Sequence, residues 1–372
     1  MADLVLYGSP LSLYTGRARS YLIKAGLNYR ETIPNTPYFR ESVLPKAGAR
    51  QGIPTIEMDD GTVIRDGAAI IDHFEMQNGH QFTPATPKQR ILSRLFDVIG
   101  AEGMLRPAMH YRWNFDVENK KFLKFHFESM IPRGPGRSEK AEKSANQMRN
   151  ACMAFGATPE TFELVETLYS EFRSKMNAHL AMQPYLLGGK PCIGDFGMIA
   201  PLYGHLGRDP KPLSLMQADA IQLFRWVERM NRPDPDVGEF EVQDEQYLED
   251  DKIPETMIDL LKHIAVDFIP ETKAAATCIN SWIEQQDNLA AGTPVVRGVG
   301  MGSFQVRGTT INALAQPYRF YLLKRVQDEF ETASDQHKAD IGDLLAACNM
   351  DGILDCKLSR EIGRKDNLEV WL

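Results

Sequence analysis

The sequence predicts three parts: an α/β first domain over residues 1–83, an all-α second domain over 88–232, and an α+β extension over 250–372. Three changes of texture carry that division. Short apolar strands alternate with short helices at the start, helical periodicity takes over after a Pro/Thr connector at 83–87, and strand-like alternation returns beyond an acidic linker at 233–251.

The first domain reads element by element. Leu4 to Tyr7 is a strand, and Arg17 to Ala25 a helix with apolar residues at 18, 21, 22 and 25, closed by Gly26. A strand from Tyr29 to Ile33 completes a β-α-β unit, whose right-handed crossover makes the pair parallel. Thr55 to Met58 and Val63 to Arg65 form a hairpin around Asp60-Gly61. Asp66 then stands at the N-cap of a helix over Ala68 to Met76. The order β-α-β-β-β-α, with Pro54 opening the third strand, is the skeleton of a thioredoxin-like domain.

In the second domain Thr158 is placed as an N-cap with Pro159 at the first helical position. Phe162, Val165, Leu168, Tyr169, Phe172 and Met176 then make one buried stripe. The basic stretch 132–149 reads as a solvated connection. In the extension, helices are expected over Ile253 to Gln285, Phe320 to Thr332 and Ile341 to Cys348, with strands at Phe304 to Arg307 and near Asn367 to Leu372. Gly298, Gly300 and Gly302 precede a strand rather than a helix, so a turn or bulge explains them better than a phosphate loop.

A net charge of −8 disfavours a nucleic-acid backbone as partner. No run approaches the ~20 apolar residues of a membrane span. The opening Met1-Ala2-Asp3 leads straight into a strand, without a signal-peptide pattern. Five scattered cysteines and dispersed histidines suit a reducing cytoplasm and offer no metal-ligand spacing. The expected setting is therefore cytoplasmic, with neither membrane, nucleic acid nor metal as partner.

Four stretches resemble the glutathione transferases. They are Tyr7 to Arg19, Gln51-Gly52-Ile53-Pro54, Asp60 to Phe74, and Tyr185 to Phe196, in the family's order and covering roughly residues 1–230. The resemblance implies a thioredoxin-like glutathione-binding domain, an all-α substrate domain, glutathione as co-substrate, and a homodimer. The ending resembles the tails of some long bacterial transferase-like proteins. Two positions depart from the family pattern: Gly67 stands where a serine hydroxyl normally helps hold the γ-glutamyl group, and Cys192 replaces the serine or threonine of a buried capping box.

Glutathione chemistry requires a thiolate, and a free thiol titrates near ~8.5. Ser12 lies between a strand and a helix start, where free N–H groups and the positive dipole end gather. Its register matches the serine-type classes, which implies that it donates to the glutathione sulfur. A turn or helix cap is the plain alternative, and Tyr7, Tyr14 and Thr15 are other donors. The resemblance also implies a cis Ile53-Pro54 bond, with the Ile53 backbone pairing to the cysteinyl unit. By the same resemblance Asp66 and Gly67 lie at the amino end of the tripeptide, and Gln51, beside Arg50, near its glycyl carboxylate. Helix capping explains Asp66 equally, and ordinary surface polarity explains Gln51.

Tyr14, Met109, His110 and Arg112 are assigned to the acceptor pocket, in a group that also holds Met104, Tyr111 and Trp113; core packing accounts for Met109 and Trp113. The implied reaction joins the glutathione sulfur to a small hydrophobic electrophile or displaces a leaving group from one. A glutathione-dependent lyase or isomerase, including ether cleavage, and a non-catalytic binding protein are the alternatives.

Overall fold

The computed structural model describes residues 4–241 and 244–372; the first three residues and positions 242–243 of the acidic linker lie outside the described residues. A four-stranded mixed sheet of order β2-β1-β3-β4 forms the first domain: β1 (Leu4–Tyr7), β2 (Tyr29–Thr32), β3 (Thr55–Glu57) and β4 (Val63–Arg65). Every residue of β1 is buried, as its central place requires. It pairs parallel to β2 and antiparallel to β3, with Leu6 opposite Ile56. Alternation sends Leu4, Leu6 and Ile56 into the main core, and Val5, Tyr7 and Val63 toward Phe39 and Val43 on the other face. Helices α1 (Leu13–Lys24) and α2 (Gly67–Gln77) cover the main-core face.

The second domain holds eight helices: α3 (Pro87–Val98), α4 (Leu105–Trp113), α5 (Asp116–Ser129), α6 (Arg137–Ala151), α7 (Phe162–Leu180), α8 (Ile193–Gly204), α9 (Pro210–Asp219) and α10 (Ile221–Met230). A π-helical turn, Ile99–Gly103, joins α3 to α4. The core helix α8 begins as the capping-box pattern implies: Asp195 Oδ2 accepts the Cys192 N–H at 2.9 Å, and Oδ1 accepts from Trp226 Nε1 at 2.9 Å. Among the described residues no helix is long and apolar enough to cross a membrane.

Two local expectations need correction. Helix α7 starts at Phe162 rather than Pro159, because the Thr161 hydroxyl accepts the Thr158 N–H at 2.9 Å and donates to Gly156 O at 2.7 Å, folding the preceding residues into a turn. The stretch read as a connection holds helix α6, which buries only Ala141 and so carries no apolar stripe to betray it.

The extension contains α11 (Glu255–Glu284), the hairpin β5 (Met301–Val306) and β6 (Thr309–Leu314), α12 (Pro317–Thr332), α13 (Asp335–Ala347), and the hairpin β7 (Ile362–Lys365) and β8 (Leu368–Trp371). Gly302 is inside β5, not at a bulge; a Cβ there would stand 3.1 Å from the Ala274 carbonyl carbon of α11, so the strand needs glycine to lie this close to the helix.

The extension docks on the first domain's edge. Asn367, in the turn between β7 and β8, accepts the Arg65 N–H at 3.1 Å and donates to Val63 O at 2.8 Å, meeting the outward groups of β4 as a neighbouring strand would. Arg65 makes two contacts to Glu369, at 2.9 and 2.7 Å, and Arg364 joins the same carboxylate at 2.7 Å. Gly48, at φ +77°, admits the hairpin: a Cβ would fall 2.7 Å from Leu368 Cγ and 2.9 Å from Asp366 O. Gly48→Ala therefore combines a left-handed backbone penalty with overpacking, and we expect a loss of about 1–3 kcal/mol in denaturant unfolding. Earlier proteolytic release of the terminal hairpin should accompany it. An unchanged midpoint and digestion pattern would mean that this contact does not hold the extension.

Candidate functional site

Three backbone segments converge at Gly67, the first residue of α2. A Cβ placed there would lie 3.4 Å from Tyr14 O, 3.4 Å from Arg17 Cδ and 3.7 Å from Pro54 Cγ. The first turn of α1, the residue-54 loop and the start of α2 therefore share one corner. The Ile53-Pro54 bond is cis. Pro54 O accepts the Asp66 N–H at 3.0 Å, tying the loop to the start of α2.

Ser12 caps α1, accepting the Thr15 N–H at 3.2 Å. Among the described residues no protein group accepts its hydroxyl proton, which leaves that donor available at a helix N-terminus. The other hydroxyls are differently engaged. Tyr7 donates to Glu57 at 2.8 Å, Tyr14 donates to Glu102 at 3.1 Å, and Thr15 Oγ1 accepts the Ser9 N–H at 3.3 Å in full burial. Burial first, and then Glu102, raises the Tyr14 phenol well above its usual range, so it stays protonated.

Asp66 caps α2 from a positive φ of 86°, a sparsely populated conformation that costs on the order of 1–3 kcal/mol. Its Oδ1 accepts the Ala68 and Ala69 N–H groups at 3.0 and 3.2 Å. Oδ2 accepts the hydroxyl of Tyr318 at 2.8 Å, a residue of α12 in the extension. Burial works to raise the Asp66 carboxyl, but Arg364, Arg17 and the Tyr318 hydrogen bond outweigh it and the net displacement is downward. The group is thus ionised at neutral pH. Gln51 is exposed on the loop before the proline, and Arg50 reaches Val295 O at 2.9 Å in the extension.

The α4 residues assigned to an acceptor pocket are placed otherwise than that assignment expects. Met109 is buried against Leu11 and Trp113. His110 sits between Glu166 and Asn114, each at 2.9 Å, and burial lowers its pKa. Arg112 grips Asp209 through Nε at 2.6 Å and Nη2 at 2.9 Å, and also donates to Leu11 O at 2.9 Å and Gly204 O at 2.7 Å. These contacts make it a brace between the loop that carries Ser12 and the helical domain.

Behind the corner lies a group of buried charges that sequence reading missed. Arg17 and Asp97 pair at 1% exposure each. Glu102, at 2% exposure, takes the Tyr14 hydroxyl on one oxygen and, among the described residues, has no hydrogen-bond partner on the other. Burial raises its pKa from 4.5 to about 7, against the opposing pull of Arg319 and Tyr14. A carboxyl raised in this way holds its proton in the folded state while the unfolded chain has lost it. Its contribution is complete below about 4.5 and disappears as pH rises through about 7. Glu102→Gln should flatten the fall in stability between those values, read as denaturation midpoints from pH 5 to 8; parallel curves for the two proteins would refute the assignment.

Comparison with known proteins bears on the first domain. The family described as glutathione S-transferase, N-terminal domain, matches residues 6–82. Residues 6–82 are thereby a glutathione S-transferase N-terminal domain, the domain that defines that class. No curated protein matches the chain. Among solved structures, the beta-etherase LigF of Sphingobium sp. strain SYK-6 is 18% identical, aligned over 64% of this chain and 97% of its own, at a TM-score of 0.40. A glutathione transferase from Phanerochaete chrysosporium is 16% identical over 61% and 96%, at 0.43. The theta-class enzyme of Xanthomonas axonopodis pv. citri, solved with glutathione bound, is 18% identical over 62% and 92%, at 0.35.

Proposed function

We propose that the chain binds glutathione in the corner around Gly67 and activates its thiol for attack on a small hydrophobic electrophile. The observation that carries this reading is the free Ser12 hydroxyl at the start of α1, in the same corner as the cis Ile53-Pro54 loop and the Asp66 cap. The N-terminus of α1 favours an anion there, while the first N–H groups of α2 are already taken by the Asp66 carboxylate. In this reading Ser12 donates to the sulfur, the Ile53 backbone pairs with the cysteinyl unit, and Asp66 attracts the ammonium end of the tripeptide. Gln51 lies toward its glycyl carboxylate. The thiolate lone pair forms the new C–S bond; in a displacement the leaving group departs with its bonding electrons.

Calorimetric titration with glutathione, followed by assay against an aryl halide, an epoxide and an aryl ether, tests the reading. Saturable binding with turnover of at least one electrophile supports it, and absence of binding defeats it. A binding protein without turnover is a second reading, favoured by two observations: Gly67 brings no hydroxyl, and Tyr318 already rests on Asp66. Glutathione binding with no turnover across the panel would favour that second reading.

A further inference from the structure

We propose that the extension supplies part of the glutathione site in the same chain, with Tyr318 recognising the α-amino-acid end of the tripeptide. The inference rests on the glutathione reading and extends it to residues far outside the first domain. Tyr318 is the second residue of α12, which enters beside Asp66 and is half-buried there. Its hydroxyl donates to Asp66 Oδ2 at 2.8 Å, while Asp66 Oδ1 is held by two backbone N–H groups. A phenol that donates through its proton still has lone pairs on oxygen. Tyr318 can therefore accept an ammonium N–H while remaining bonded to Asp66, so carboxylate and phenol act as one acceptor pair for a cation.

The same corner has unmet donors. Arg17, packed beside position 67, is 1% exposed; its Nη2 pairs with Asp97, while among the described residues its Nε and Nη1 have no hydrogen-bond partner. Arg325 of α12 pairs with Asp72 through Nη2, and its buried Nη1 stands 3.8 Å from Asp97 Oδ2. Buried guanidinium N–H groups without acceptors are costly, and a ligand carboxylate would satisfy them. An α-amino acid brings both charges at once: an ammonium for the Asp66–Tyr318 pair and a carboxylate for the guanidinium side. Gly67 offers no side-chain hydroxyl to such a group, and Tyr318 brings one from 252 residues along the chain.

The test uses the full chain, wild type and Tyr318→Phe, titrated calorimetrically with glutathione and with its deamino analogue, which lacks the α-ammonium. Loss of one neutral-to-charged hydrogen bond should weaken glutathione binding roughly ten- to a hundredfold. Affinity for the deamino analogue should be the same in both proteins, because the group that Tyr318 contacts is absent. Equal weakening toward both ligands would make the residue structural only and overturn the proposal. Unchanged or tighter glutathione binding by the variant would also overturn it, the tighter case marking Tyr318 as a plug. If wild type and variant bind neither ligand, the glutathione reading falls and this inference with it. If wild type binds glutathione and the variant differs in neither titration, only the inference falls.

Discussion

Ser12→Ala is expected to raise the thiol pKa of bound glutathione by about one to two units, each worth ~1.4 kcal/mol. The Ser12 hydroxyl already accepts from Thr15 N–H and keeps its own proton for an acceptor. Removing it deletes a hydrogen bond to an anion, worth ~1.5–3 kcal/mol, and leaves the other contacts of the tripeptide in place. Turnover near neutral pH should fall about ten- to a hundredfold, and the defect should shrink at high pH, where solvent ionises the thiol unaided. Loss of the cap should also cost about 1 kcal/mol of stability, which denaturation measures separately. A variant with wild-type turnover at every pH would remove Ser12 from the mechanism. Tyr7 and Tyr14 are poor substitutes, since both phenols are already committed to carboxylates.

Arg112→Met is expected to be the most destabilising of these changes, at about 3–5 kcal/mol, because it leaves the fully buried Asp209 without its counter-charge. Two carbonyls, Leu11 O and Gly204 O, lose a donor as well. Adding Asp209→Asn should recover part of the loss, since the stranded charge is then gone. A double-mutant cycle in urea reads the coupling, and additive single effects would show that the pair is not an energetic unit. The loop carrying Ser12 hangs from this brace through Leu11. Partial rescue of folding without rescue of turnover is therefore the expected signature, read by assaying the double variant at a temperature where it is fully folded.

How far the sequence discloses this arrangement differs element by element. The strand of Leu4 to Tyr7, the Asp60-Gly61 hairpin and the Asp66 cap are local patterns, and each appears where the pattern indicates. Strands β6 and β7 were missed although signals for them exist. Arg307-Gly308 and Asp366-Asn367 all take positive φ as two-residue hairpin turns, and Asp366-Asn367 between alternating residues is legible in principle. Helix α6 gave no signal, because a helix that buries one alanine needs no apolar stripe. His110 and Arg112 look available in sequence because Glu166 and Asp209 lie 56 and 97 residues away. Tyr318 is beyond any local rule: only the folded extension brings it to Asp66.

The most direct test of the central claim is the ultraviolet absorbance of the glutathione thiolate, followed against pH in the saturated wild-type complex. Activation by Ser12 and the α1 N-terminus predicts a thiol pKa at least about one unit below the free value near ~8.5. A pKa at or above the free value in a saturated complex would contradict activation at this corner.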